Sequence, residues 1–356
     1  VQVIVPAGID DRSRPSGGNV YDRRVIGGLT EAGWTVTEHR VPGAWPEPGA
    51  RARSELAAAV AGIPAGSTVL VDGLIASCVP EVLVPAAAQF HLIVLVHMPL
   101  GTGSQPGAAE ARRCEGAVFS SADAIVTTSE WSRRRVIDLY DPPPEKVTVA
   151  TPGVDPAEPA PGSESGGELL CVAALTPAKG HDLLLDALAG LNSLTWRLTV
   201  VGSADVDPSY VESLRRQAIA NGIGERVRFL GALSAEALDG VYRSADALVL
   251  ASRAETYGMV ITEALSHGLP VVVTDVGGVI EALGHTTDGR RPGLLVPAGD
   301  RVGLSAALRN WLVDAEVRRG LRSAASERRA TLTGWDVTAD IIGRILLAES
   351  VPVGAP

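Results

Sequence analysis

Two acids, Glu255 and Glu263, are separated by seven residues in ETYGMVITE, and Tyr257-Gly258-Met259-Val260 between them reads as the first turn of a helix. Such a turn leaves N–H groups unpaired, and these groups together with the helix dipole favour a phosphate or a partly anionic oxygen. Glu255 as a dipole-complementing residue and Glu263 as a solvated one is the structural alternative. Glu255 follows the strand-like run ALVL, which puts it in a strand-to-helix loop at the carboxyl edge of a sheet and favours the ligand reading. Lys179-Gly180 in LTPAKGHDLLLDAL stands at the same kind of edge, where an ammonium meets a diphosphate as a mobile point charge. Of the 31 basic residues only Lys146 and Lys179 are lysines, so a lysine kept at this edge carries information.

His97 closes the apolar run HLIVLVH, where a satisfied structural imidazole and a reactive one fit equally well. Gly17 and Gly18 form a glycine turn opening a helix after the first strand, without a full dinucleotide fingerprint. Gly277-Gly278 in TDVGGVIEAL fits both a simple turn and the close approach of a ligand. GTGSQPG, residues 101–107, lacks the Gly-Lys-Ser/Thr ending of a phosphate loop and is expected to be a mobile loop. EWSRRR starts a helix with a basic stripe.

The elements that must position these groups alternate between strand and helix. Apolar runs predict strands over residues 1–5, 35–38, 68–71, 92–97, 124–127 and 147–150, then over 169–173, 197–201, 227–230, 247–250, 271–274 and 293–296. Helical patterns between them include residues 20–32, 182–191, 209–221 and 258–267. This alternation implies parallel sheets with helices on both faces. PGVDPAEPAPGSESGG interrupts it with no periodicity and a linker composition. The fold class is therefore α/β, with two Rossmann-like doubly wound parallel-sheet domains facing across a cleft. Their expected limits are residues 1–155, a linker over 156–167, and residues 168–337, with a last helix beginning at 338.

Composition excludes several classes. The net charge of −10 argues against a nucleic-acid partner, and neither half forms a polybasic membrane platform. No apolar run approaches the roughly 20 residues of a membrane span. No basic-then-apolar leader opens the chain at VQVIVPAG, and Cys78, Cys114 and Cys171 lack metal-like spacing, so reduced thiols in a cytoplasmic protein are expected.

The acidic motif Glu255-x7-Glu263, followed by HGLPVVVTDVGG and GLLVPAGD, resembles glycosyltransferase family 4, whose members are retaining enzymes of GT-B fold. SGGNVYDRR, ADAIVTTSEWSRR, EKVTVATPGVD, LTPAKGHDLLLDAL and VRFLGAL follow the family order over nearly the whole chain. The resemblance implies transfer of a sugar from a nucleotide-diphosphate donor, uridine-linked rather than guanosine-linked, to an acceptor the motifs do not name. It implies that Glu255 contacts the donor sugar, Glu263 the ribose hydroxyls, and Tyr257, Gly258, Met259 and Val260 the sugar and phosphate. Lys179, Gly17 and Gly18 would meet the diphosphate, His97 the sugar, and the stretch from Arg228 through Leu230 the base. No cofactor and no obligatory metal is implied, and the final helix would return to the first domain. Ala173-Ala174 stands where the family commonly has Gly-Arg, which removes the usual arginine clamp on phosphate, and Pro152 replaces the usual Asn. Arg253 is a candidate substitute. A GT-B-like sugar-nucleotide epimerase, a phosphorylase and a non-catalytic sugar-nucleotide binding module are the alternatives; the oligomeric state is left open.

Overall fold

The computed structural model describes residues 1–11, 13–102 and 107–350; the centre of the expected mobile loop, residues 103–106, lies outside them. The chain divides into two compact units, one of Val1–Asp10, Gly17–Gly153 and Trp335–Pro356, the other of Asp11–Ser16 and Val154–Gly334.

The first unit holds a six-stranded sheet of β1 (Gln2–Pro6), β2 (Thr37–Val41), β3 (Thr68–Asp72), β4 (His91–Val96), β5 (Ala124–Thr127) and β6 (Val147–Val149). All neighbours are parallel in the order β2-β1-β3-β4-β5-β6. Successive residues of a strand point to opposite faces, and here both faces are buried. Ile4, Val71, Val94 and Ile125 pack on one side with Leu56, Leu83 and Phe119. Val3, Val5, Leu70, Ile93, Leu95 and Val126 pack on the other with Tyr21, Ile26, Ile342 and Leu346. The last two come from the helix Trp335–Ser350, which lies against the helix Gly17–Glu31 so closely that a Cβ on Gly28 would meet Ala339 Cβ at 2.6 Å.

The second unit repeats the architecture with β7 (Glu168–Val172), β8 (Arg197–Val201), β9 (Val227–Phe229), β10 (Ala247–Leu250), β11 (Val271–Asp275) and β12 (Gly293–Pro297). These form a six-stranded parallel sheet in the order β12-β11-β10-β7-β8-β9. In each sheet the order reverses once, between β1 and β3 and between β7 and β10, and the loops after those strands share one carboxyl edge.

One strand boundary is corrected. β2 covers Thr37–Val41 rather than 35–38, because pairing with β1 runs from Gln2↔Thr37 to Pro6↔Val41. An edge strand with half-exposed faces does not need the apolar run that suggested the earlier start. The expected linker, residues 156–167, runs strapped along the second unit. Ala160 N donates to His267 O at 2.8 Å, and Asp246, 1% exposed, accepts from Ser163 Oγ at 2.7 Å and Glu168 N at 2.9 Å. Trp311 Nε1 donates to Gly166 O at 2.7 Å, and Arg322 reaches both Asp246 and Ser163 O. Its Pro, Gly and Ser content suits an irregular strap as well as a flexible tether, and the partners that fix it lie far along the chain. Among the described residues no helix is long and apolar enough to cross a membrane.

Candidate active site

In the second unit the reversal of strand order brings together two loops that are far apart in sequence. After β7 the chain makes a 3-10 turn, Pro177–Lys179, and passes through Gly180 (φ +65) into the helix His181–Ala189. A side chain on Gly180 would put its Cβ 2.0 Å from Ala251 O, so only glycine lets this turn lie against the end of β10. After β10 the loop carries Ser252, Arg253 and Glu255 to the helix Met259–Ser266, whose start has Gly258 (φ +98) and no side-chain cap. Lys179 Nζ donates to Glu255 Oε1 at 2.7 Å, and Ser252 Oγ donates to the same oxygen at 2.8 Å. The lysine side chain is 28% exposed and the glutamate 11%, so the pair is accessible without being freely solvated.

Arg253 is committed elsewhere. Its guanidinium donates to Asp182 Oδ1 at 2.8 Å and Oδ2 at 2.6 Å, and to Pro177 O, while its N–H bonds Ala178 O. The hydrogen bonds from Arg253, with one from Tyr210, hold the Asp182 carboxyl down at about 2. Arg253 therefore staples the Lys179 turn to the β10 loop. His181 beside it is 2% exposed with neither ring nitrogen partnered, and burial lowers its pKa to about 4.

Glu263 lies on the helix Met259–Ser266 and accepts from the Tyr242 hydroxyl at 2.8 Å. Tyr242 is buried and stacks on His267 at 4.7 Å between centroids, so the support behind Glu263 is rigid. Tyr257 is buried, whereas Met259 and Val260 are half-buried in the first turn. Arg228 sits exposed in the middle of β9 and Leu230, 37% exposed, just past its end. Gly277 and Gly278 serve packing: an added Cβ would meet Glu255 O at 1.6 Å and Thr256 O at 2.3 Å respectively, so the two glycines seat the Glu255 loop.

In the first unit, His97 follows β4, Asp72 ends β3, and Asp22 comes from the helix Gly17–Glu31. His97 Nε2 lies 2.7 Å from Asp22 Oδ1 and 3.5 Å from Asp72 Oδ2. Asp72 also caps the short helix behind it, accepting from Leu74 N at 2.7 Å. Gly18 abuts the imidazole, since a Cβ there would lie 3.1 Å from His97 Cδ2, while Gly17 is exposed at the helix start. Burial raises Asp22 to about 7 even against the opposing pull of His97. Burial would lower His97, but the two carboxylates outweigh it and raise it to about 10. These three residues are the set among the described residues whose donor atoms could jointly hold a metal, all within 4.8 Å of one another. Asp22, Asp72 and Tyr242 escaped the sequence reading. Asp72, a carboxylate ending the wholly buried run TVLVD, was the one with a visible signal.

The pattern of the glycosyl transferases group 1 matches residues 159–328, and that of glycosyltransferase family 4 matches residues 74–158. The D-inositol 3-phosphate glycosyltransferase of Jonesia denitrificans is 30% identical over 296 residues, 76% of this chain and 69% of the relative. The chain belongs to glycosyltransferase family 4. A second D-inositol 3-phosphate glycosyltransferase, from Kineococcus radiotolerans, is 33% identical over 72% of the chain and 64% of its own length. Among solved structures, sucrose-phosphate synthase from Thermosynechococcus elongatus aligns over 98% of both chains at a TM-score of 0.81 and 21% identity. Anabaena HepE in complex with UDP-glucose aligns over 98% of this chain and 99% of its own at 0.78 and 18% identity. By family and fold this is a GT-B glycosyltransferase.

Proposed function

We propose that this glycosyltransferase moves a sugar from a UDP-sugar, with retention at the anomeric carbon, to a small polar acceptor. The observation that carries the reading is the Lys179–Glu255 pair at the reversal of strand order in the second sheet, beside an uncapped helix start. The second unit is the donor-binding domain and the first the acceptor side. Lys179 and the N–H groups from Gly258 to Val260 neutralise the diphosphate, Glu255 serves the sugar, and Glu263, steadied by Tyr242, holds the ribose. Gly17, Arg228 and Leu230 keep their implied roles beside the phosphates and base, and His97 its implied role toward the sugar. Leaving-group charge is met by the lysine and the helix start, so no divalent metal is obligatory. HepE bound to UDP-glucose supports the uridine donor, and the inositol-phosphate relatives make a phosphorylated polyol the first acceptor class to try.

The test is a thermal-shift screen of UDP- and GDP-sugars, followed by mass spectrometry of products with and without inositol phosphates. Product only with acceptor, and with the anomeric configuration kept, is the expected result. Conversion of the donor without acceptor would make the chain an epimerase, and dependence on inorganic phosphate would make it a phosphorylase.

A further inference from the structure

We propose that Asp22 and Asp72 are positioning residues that grip His97 through Nε2 and keep its ring an imidazolium, so that its remaining edge is a fixed cationic hydrogen-bond donor to an oxygen of the sugar donor. The inference rests on the donor-sugar reading of His97 given above.

The geometry has three parts. Asp22, 3% exposed, meets Nε2 at 2.7 Å, and Asp72, also 3% exposed, stands 3.5 Å away on a second element. One carboxylate would orient a histidine; two, from a helix and a strand end, fix both the ring plane and its charge. The contact with Gly18 at the Cδ2 edge closes off rotation. Two buried carboxylates side by side need a compensating cation. The neighbouring cation, Arg23, is spent on Asp10 and Glu38 at 2.9 Å each. The cavity lined by Asp22, Asp72, Val3, Val5, Val25 and Leu95 measures about 10 Å³, the space of a single water at most. The His97 imidazolium, with Nε2 against both carboxylates, is the cation the chain itself supplies there. Tyr21 from the helix and Asp22 beside it, with Asp72 from the end of β3, are the titratable groups facing the ring; Tyr21 presents its ring edge-on at 5.2 Å between centroids.

The direction of titration agrees. His97, raised to about 10, carries its proton throughout the neutral range, and Asp22, raised to about 7, takes up a second proton as the pH falls. Burial pushes Asp72 up, but the hydrogen bond and charge of His97, together with hydrogen bonds from Asp22 and Leu74 N, outweigh it and leave it lowered, so it remains the anion when Asp22 is neutral. Asp22→Asn keeps the shape and an acceptor oxygen but removes one charge, and should lower the His97 pKa by about 1–3 pH units.

The deciding experiment is ¹⁵N-histidine NMR of the full chain, with the His97 signals assigned by their loss in His97→Gln. In the wild type His97 should stay doubly protonated through pH 8.5, and in Asp22→Asn it should titrate below that of the wild type by the stated amount. Donor hydrolysis by Asp22→Asn should then be weaker at pH 8.5 than at pH 6.5, about fourfold for a shift of about two units, beyond any change in the wild type, with UDP affinity unaltered. If Asp22→Asn does not fold, Asp72→Asn takes its place, and the wild-type titration alone still decides. A wild-type His97 that titrates near 6.5 overturns the proposal, as does a His97 titration unmoved by loss of either carboxylate. The NMR result does not depend on turnover, so failure of every nucleotide sugar to react would sink the donor reading without touching the charge state.

Discussion

Replacing Lys179 by alanine separates a phosphate ligand from a mere partner of Glu255. With the pair at 28% and 11% exposure, partly buried, its own strength is set at the top of the exposed range, about 1 kcal/mol. A charge-assisted contact to a diphosphate contributes about 1.5–3 kcal/mol. If Lys179 leaves Glu255 to meet the phosphate, the net gain is the difference, about 0.5–2 kcal/mol, so Lys179→Ala should weaken UDP binding about 2- to 30-fold. If the ammonium uses its three donors to keep both contacts, the loss approaches about 150-fold. Titration calorimetry with UDP measures this directly, with thermal melts alongside to remove any effect of unfolding. Arg253→Ala is the control: its guanidinium is held by Asp182 with both side chains more than a third exposed, and UDP affinity should move by less than about threefold. Lys179→Ala with unaltered UDP affinity and a lower melting temperature would reduce the lysine to a structural ion-pair partner. A larger loss from Arg253→Ala would move the phosphate clamp to that residue.

Three further outcomes are expected. Glu255→Gln should lower turnover at least about a hundredfold while UDP affinity holds or tightens, since charge develops at the sugar only in the transition state; equal losses in single-turnover rate and affinity would restrict Glu255 to binding. Tyr242→Phe deletes the hydroxyl behind Glu263 and should weaken UDP binding about 2- to 10-fold, with Glu263→Ala weakening it more; calorimetry on both variants checks the order. Gly180→Ala forces a left-handed alanine, at roughly 1–2 kcal/mol, and drives a Cβ into Ala251 O, so urea unfolding should show a loss of at least about 2 kcal/mol and UDP binding should fall with it.

The strands were readable because parallel strands buried on both faces are short, nearly unbroken apolar runs, as in HLIVLV and ALVL. The pairing of Lys179 with Glu255 was not readable, although each was noticed through its own motif. It depends on β10 lying beside β7, which brings together side chains 76 residues apart that no local pattern relates. Asp22 in VYDRR looks like any solvated helix carboxylate until the helix is seen to turn it beneath His97. Gly277-Gly278 left a turn and a ligand approach equally open in the sequence; the carbonyls of Glu255 and Thr256, which leave no space for a Cβ, are what the structure adds. The contacts of 156–167 were equally hidden, since composition reports what a segment can do alone and Asp246, Trp311 and Arg322 decide how it is held.

The return of the helix Trp335–Ser350 to the first unit has a consequence for synthesis. Ile342 and Leu346, both fully buried, complete the apolar face shared by Val3, Val5 and Tyr21, residues made more than 300 positions earlier. Domains ordinarily fold in the order in which they leave the ribosome. Here every residue of the second unit precedes Trp335, so that unit can close while the first still lacks a wall of its core. A nascent chain stalled at residue 334 should carry a protease-resistant second unit behind a protease-sensitive first one, and release of the last helix should reverse that sensitivity.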